Sequence, residues 1–270
     1  MLKDITIGQY FPTGSPVHSL DPRAKIIITI FYIVVVFLCK SFASIGLCCA
    51  VLLVFILISR VPVKMFLKSI KAILPIILFT AFLNIFYIGG GKVLFTWKFI
   101  SVSEKGLYTA AFMTVRIILL IISGSALTYT TTPTMLTDGM ERLLSPLKVF
   151  HVPVHTLAMM MTLALRFIPT LIDEIERITN AQKARGADLE SGNFVQRAKA
   201  LVPVLVPLFI SAFRRAYELA FAMECRCYRG GEGRTRMKQM KLKMPDYFSF
   251  AVVVLFTAGV ILLNNIYPVL

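Results

Sequence analysis

Carboxylates are scarce in this chain. Its 270 residues carry 14 Asp and Glu against 29 Lys and Arg, a formal net charge of +15. No long apolar run contains an Asp or Glu. Proton relays through membranes are built on intramembrane carboxylates, so that kind of secondary transporter is disfavoured. Cysteine is too thinly spread for zinc. Cys225-x-Cys227 has no second ligand pair nearby, and Cys39, Cys48 and Cys49 lie in apolar segments, where a thiol behaves as a small hydrophobe. His151 and His155 are separated by Pro153 and have no third ligand close. A nucleotide-binding loop is missing too. Gly89-Gly90-Gly91-Lys92 has the Gly-Lys pair of a Walker A motif, but Phe86 replaces its first glycine and Val93 its Ser or Thr. A flexible turn between spans explains the run better. No aromatic-basic module accompanies the positive charge, which argues against nucleic acid. No secretory signal is visible, because a polar, proline-containing lead precedes the first apolar run.

What is abundant is apolar. Hydrophobic residues make up 57% and charged residues only 16%, which fits a multi-span membrane protein better than a soluble domain. The cations then mark cytoplasmic loops beside anionic lipid. The fold expected is an all-α integral membrane protein. It has about five transmembrane helices and a cytoplasmic domain of long amphipathic helices.

The chain divides accordingly. Residues 1–25 form a polar cytoplasmic lead that ends Asp21-Pro22-Arg23-Ala24-Lys25. Residues 26–130 form a four-span region. Its first run, Ile26 to Leu38, is short against the ~20 residues a crossing needs, and half of a re-entrant pair is the other reading. The second run is Phe42 to Ser59. Lys64, Lys68 and Lys71 then snorkel to an interface, and the third run, Ala72 to Ile88, has Pro75 in its first turn. Trp97 and Phe99 suit an interface. The fourth run, Gly106 to Thr130, carries Arg116 about 15 Å in, near mid-bilayer. An arginine there costs about 2.5–3.5 kcal/mol on insertion scales, so it must face protein. It is either a functional group or a structural arginine bonded to backbone carbonyls.

Residues 131–244 hold most of the cations and read as cytoplasmic. Thr134 can cap a short helix running through Leu147. Two long amphipathic patterns follow. Leu157, Met161, Ala164, Ile168, Leu171, Ile175 and Ile178 form one stripe. Asp173, Glu174 and Glu176 read as a solvated face beside Arg177. Phe194, Ala198, Leu201, Leu205, Leu208, Ala212, Ala216, Leu219 and Met223 form the other stripe, with Pro203 and Pro207 expected to bend it. The first pattern ends Ala184-Arg185-Gly186 and the second Cys225-Arg226-Cys227. Each arginine has alanine four residues back and an aliphatic residue seven back, so the two ends share a helical phase. Gly186 suits a C-cap. Residues 245–270 form the final span. Counting crossings puts the N-terminus and the 131–244 domain inside and the C-terminus outside the cell membrane.

These features resemble the transmembrane T component (EcfT family) of energy-coupling factor (ECF) transporters. The resemblance rests on Leu20 to Lys25, on Arg166-Phe167-Ile168-Pro169, and above all on Ala181 to Gly186 and Ala222 to Thr235. Cys225 departs from the family's usual alanine, a small-for-small change. The resemblance implies a non-catalytic subunit that joins two ABC-type ATPase subunits to a membrane-embedded, substrate-binding S component for vitamin or metal uptake. It implies that Arg185 and Arg226, flanked by the small residues Ala184, Gly186, Cys225 and Cys227, dock into the ATPases. It implies no cofactor on this chain, with ATP and Mg bound by the partner ATPases. The greasy stripe at Leu157, Met161, Leu205 and Leu208 is then a contact for the S component, or simply packing between the two helices. The alternative is a membrane enzyme acting on a phosphorylated lipid at the cytoplasmic face. That needs a convergent acid, base or metal cluster, which the sequence does not offer.

Overall fold

The computed structural model describes residues 10–87, 93–97, 100–187, 193–230 and 242–266. The Gly89 to Lys92 turn, Phe99 and the glycine-rich stretch from Gly231 to Arg236 lie outside them. Nine α-helices appear among the described residues, with one short antiparallel hairpin. Six of these helices are long and apolar enough to cross a membrane, by length and composition. The chain forms two compact units, residues 8–139 with 240–270 and residues 140–239.

The first unit opens with a short helix, α1 (Pro16–Ser19), and then α2 (Pro22–Leu38). Pro22 stands at the first helical position, where its missing N–H costs nothing. Asp21 caps the helix by accepting from the Arg23 N–H at 2.9 Å, and Arg23 returns an ion pair at 3.2 Å. After a capping box at Ser41 and Ser44 comes α3 (Phe42–Ser59), closed by Arg60 in the left-handed region. Next is α4 (Val63–Tyr87). This helix begins nine residues before the apolar run that sequence reading isolated. Pro75 therefore lies in its interior and not in its first turn. The basic prelude is helical because Lys64, Lys68 and Lys71 keep to the exposed side.

The strands β1 (Val93–Trp97) and β2 (Ile100–Ser103) pair antiparallel, with a register shift between Val93 and Phe95. An all-helical reading did not anticipate this hairpin. It leads into α5 (Glu104–Thr130), capped by Ser103, whose Oγ accepts from the Gly106 N–H at 3.0 Å. The fold continues with α6 (Pro133–Leu143) and a 3-10 turn, Ser145–Phe150. Thr132, not Thr134, caps α6, and the helix stops at Leu143, short of Leu147, as Pro146 enforces a tighter turn. Gly139 sits against the first turn of α2, where an added Cβ would lie 3.2 Å from Ile26.

The core of this unit is built on α5. Tyr32, Val35 and Val36 from α2, Ile45, Cys48 and Leu52 from α3, and Phe112 and Leu119 from α5 are buried together. Phe256 and Val260 of the last helix, α9 (Met244–Ile266), complete it. Phe256 stacks on Tyr32 at 5.9 Å, and the Tyr32 hydroxyl donates to the Cys48 carbonyl.

Polar clamps bracket α2 and α9 at both ends. At the start of α2, buried Asp246 accepts from the Asp21 N–H at 2.9 Å and the Lys243 N–H at 2.7 Å. Beside it buried Lys25 donates to the carbonyls of Thr130 and His18. At the other end Asn264 accepts from the Lys40 N–H at 3.1 Å and donates to the Leu38 carbonyl at 2.9 Å. Asp246 and Asn264 are about 27 Å apart along α9 at 1.5 Å per residue. That matches the ~30 Å hydrocarbon core and gives short α2 the reach of a crossing.

The same bonds place Arg116. It donates to the Cys39 carbonyl at 2.6 Å and lies 4.7 Å from the centre of the Phe112 ring. With Lys25 on Thr130 and Arg116 on Cys39, α2 and α5 run antiparallel, and the first three turns of α5 overhang the end of α2. Arg116 is therefore level with the C-terminal end of α2 and bonds a backbone carbonyl there, as a structural arginine would.

Candidate functional site: two matched arginine ends

The second unit is dominated by α7 (Val154–Ala184) and α8 (Phe194–Cys225). In the first turn of α7, His155 faces Glu141 of α6, Nδ1 to Oε1, at 3.0 Å. The two long helices are the least apolar of the six that could cross a membrane. Each carries one charged face, and each runs about one and a half times the length of a crossing.

Their register is fixed by three bonds. The Ser211 hydroxyl and Arg215, at 2.9 Å, donate to Glu174. Gln182 Nε2 donates to the Pro203 carbonyl at 3.2 Å. The last bond has a simple cause. The Pro203 carbonyl would accept from the N–H four residues on, but that residue is Pro207, which has none. The proline pair thus frees an acceptor in mid-helix, and α7 supplies the donor. Glu174 departs from the sequence reading of a solvated acidic face: it points at α8 and makes a clasp. The Ser211 hydroxyl, against the opposing effect of burial, and then the Arg215 charge hold its carboxyl below the usual carboxylate range.

The helices are antiparallel in this register, and Arg185 stands level with Ala200. Arg226 lies 26 residues farther along α8, about 39 Å away at 1.5 Å per residue. The two arginine ends occupy opposite ends of one hairpin.

Locally the two ends are built alike. Ala184 is the last residue of α7 and Arg185 its C-cap; Cys225 is the last residue of α8 and Arg226 its C-cap. After Arg185, the Gly186 N–H bonds the Lys183 carbonyl and the Ala187 N–H bonds the Gln182 carbonyl, both at 3.0 Å. After Arg226, the Cys227 N–H bonds the Glu224 carbonyl at 2.8 Å and the Tyr228 N–H bonds the Met223 carbonyl at 3.0 Å. Each end is a Schellman motif. Each needs its next residue at positive φ: Gly186 has φ +85° and Cys227 has φ +55°. For cysteine that conformation costs about 1–2 kcal/mol. Sequence reading found the matched phase but not the second αL residue, since nothing in a cysteine announces it. Both thiols at this end are exposed.

The four stripe residues are not gathered into one patch. Leu157 and Met161 lie level with the C-terminal end of α8, whereas Leu205 and Leu208 lie level with the last third of α7. Leu208 is only half-exposed. A feature that sequence reading passed over is a row of aromatics on α8: Phe209, Phe213, Tyr217 and Phe221, at steps of four. Phe213 and Tyr217 are 72% and 74% exposed.

Among the described residues no group of three or more His, Cys, Asp or Glu could hold a metal ion. The arrangement offers two cationic side chains on capped helix ends, and greasy faces. The family model described as CbiQ, cobalt transport protein, matches residues 13–237. The chain belongs to the CbiQ/EcfT family. The energy-coupling factor transporter transmembrane protein EcfT of Clostridium kluyveri is 57% identical over 92% of this chain and 93% of its own length. That of Ruminiclostridium cellulolyticum is 51% identical over 99% and 100%, and that of Acidaminococcus fermentans 51% over 89% of both. As an EcfT-type protein the chain is a multi-pass transmembrane component of a transporter, a non-catalytic subunit.

Proposed function

We propose that the α7–α8 hairpin is the coupling domain of an ECF transporter, with Arg185 and Arg226 each docking into one of two ABC-type ATPase subunits. The observation that carries this reading is the pair of identical Schellman ends about 39 Å apart on one hairpin. Two equivalent partners need two equivalent contacts, and a C-cap arginine flanked by Ala184 and Gly186, or by Cys225 and Cys227, can approach a partner groove closely. Its guanidinium offers a bidentate bond to a partner carboxylate. A lone arginine would only complement its helix dipole, worth about 0.3–1 kcal/mol.

ATP and Mg belong to the partner subunits. The S component, carrying a vitamin or a metal ion, seats on the apolar faces of the hairpin, at Leu157, Met161, Leu205 and the aromatic row. The N-terminus and hairpin are cytoplasmic and the C-terminus is outside, as the cation bias requires. Co-purification with the ATPase pair tests this for wild type, Arg185→Ala, Arg226→Ala and the double variant. Stepwise loss of ATPase retention and of coupled transport is expected. Equal retention and equal transport by all four would reject it.

A further inference from the structure

We infer that the unit holds a binding site for an anionic phospholipid, in the cleft between the first half of α7 and the end of α8. The inference uses the docking reading only in placing the hairpin beside the cytoplasmic leaflet. Met159, Leu163 and Met223 form a half-buried apolar floor, and Arg166, Arg226 and Arg229 line the same cleft. Among the described residues no carboxylate lines it. Among the described residues none of these three guanidiniums has an ion-pair partner.

Three arginines lining one cleft, with no ion-pair partner among the described residues, make it favourable for an anion. Guanidinium matches phosphate oxygens bidentately. Docking at Arg226 calls for one arginine; it leaves Arg166 on the other helix and Arg229 beyond the cap unexplained. The floor decides between a lipid and a soluble anion. A free phosphate gains nothing from two methionines and a leucine, whereas the first acyl carbons of a lipid gain from leaving water against them. Tyr228, also in the cleft, is a residue that suits a boundary apolar on one side and wet on the other. The inner leaflet supplies the matching surface, anionic headgroups over hydrocarbon. The headgroup phosphate sits on Arg166 and Arg229, and the acyl end lies along the floor.

The test uses the full chain, purified without its partners. It is placed in nanodiscs of phosphatidylcholine alone or mixed equally with phosphatidylglycerol, then released for native mass spectrometry. Wild type is expected to retain phosphatidylglycerol in preference to phosphatidylcholine. Arg166→Ala with Arg229→Ala should lower that retention at least about tenfold, equivalent to about 1.4 kcal/mol. The double lysine variant should fall between, because it keeps the charge and loses the fork. Both residues are exposed, so the fold is not at risk, and circular dichroism checks it. Soluble glycerophosphate should compete poorly. Competition as strong as the lipid's would mean a small-anion site and overturn the proposal, as would equal retention by the alanine variant. Unchanged lipid retention, with ATPase retention lost when the same alanine variant is co-purified with the ATPase pair, would reassign the cleft to the protein partner. Arg226 is left intact throughout, so failure here and failure of the docking reading are separable.

Discussion

The two helix ends differ in one respect that can be exploited: Gly186 occupies its left-handed position without strain and Cys227 does not. Replacing Gly186 by alanine adds a Cβ that meets no atom within 4 Å, so the effect is confined to the backbone. At φ +85° an L-residue is disfavoured by about 1–2 kcal/mol. Restricting the unfolded chain returns about 0.4–1 kcal/mol, leaving about 1 kcal/mol against the capped end, or about fivefold in its population. Cys227→Gly runs the other way: it relieves similar strain and loses a little to the freer unfolded chain, for a net gain under about 1 kcal/mol. Hydrogen exchange reports this directly, through the Ala187 and Tyr228 amides that close the two motifs. Ala187 should exchange about fivefold faster in Gly186→Ala, and Tyr228 more slowly in Cys227→Gly. ATPase retention should follow the same order. If Gly186→Ala leaves both readouts unchanged, the end geometry is not what positions Arg185.

Three further outcomes follow from the bonds described. Arg116→Met, although apolar, should cost about 1.5–3 kcal/mol, the range for a charged hydrogen bond lost with its buried acceptor stranded; a clear drop in the melting temperature of detergent-solubilised protein checks it. Asp246→Ala removes the acceptor of two backbone N–H groups and should destabilise by about 2–4 kcal/mol, with faster exchange at the Asp21 amide, while Asn264→Leu should release only the opposite end of α2. Because Glu174's carboxyl is held below the ordinary value of about 4.3, its contribution is complete above that value and fades as pH falls through the lowered one. Hairpin stability should therefore decline in acid in wild type and show a flatter profile in Glu174→Gln.

Much of this was legible from spacing. Period and capping residues marked the long helices, and two arginines in equal phase marked two helix ends that are built alike. What escaped depends on who stands opposite whom. Pro75 was misplaced because an amphipathic basic prelude and an apolar run belong to one helix, and hydropathy separates what backbone geometry joins. The acceptor of Arg116 was hidden because the Cys39 carbonyl lies at the end of another helix, α2. Glu174 looked solvated because its partners, Ser211 and Arg215, lie on another helix. The roles of Asp246 and Asn264 are not legible in sequence, because a helix-end carboxylate or amide carries no local sign of bonding a helix more than two hundred residues away.

The position of the clasp bears on how a coupling hairpin would work. Ser211 lies about 17 Å from the level of Arg185 and about 22 Å from Arg226, counted along α8, so Glu174 joins the helices near the middle. Antiparallel helices held only by aliphatic contacts can slide, since dispersion is non-directional and a methyl fits many hollows. A carboxylate bonded at once to a hydroxyl and a guanidinium resists sliding, because a shift breaks both bonds, and Gln182 on the Pro203 carbonyl adds a second point of registry. The two arginine ends therefore keep their separation when either is displaced. If two ATPases draw together on nucleotide binding, a hairpin pinned at two points cannot shorten to follow them. It can only tilt or rotate, and that is the motion that would be delivered to whatever lies on the Phe209 to Phe221 row.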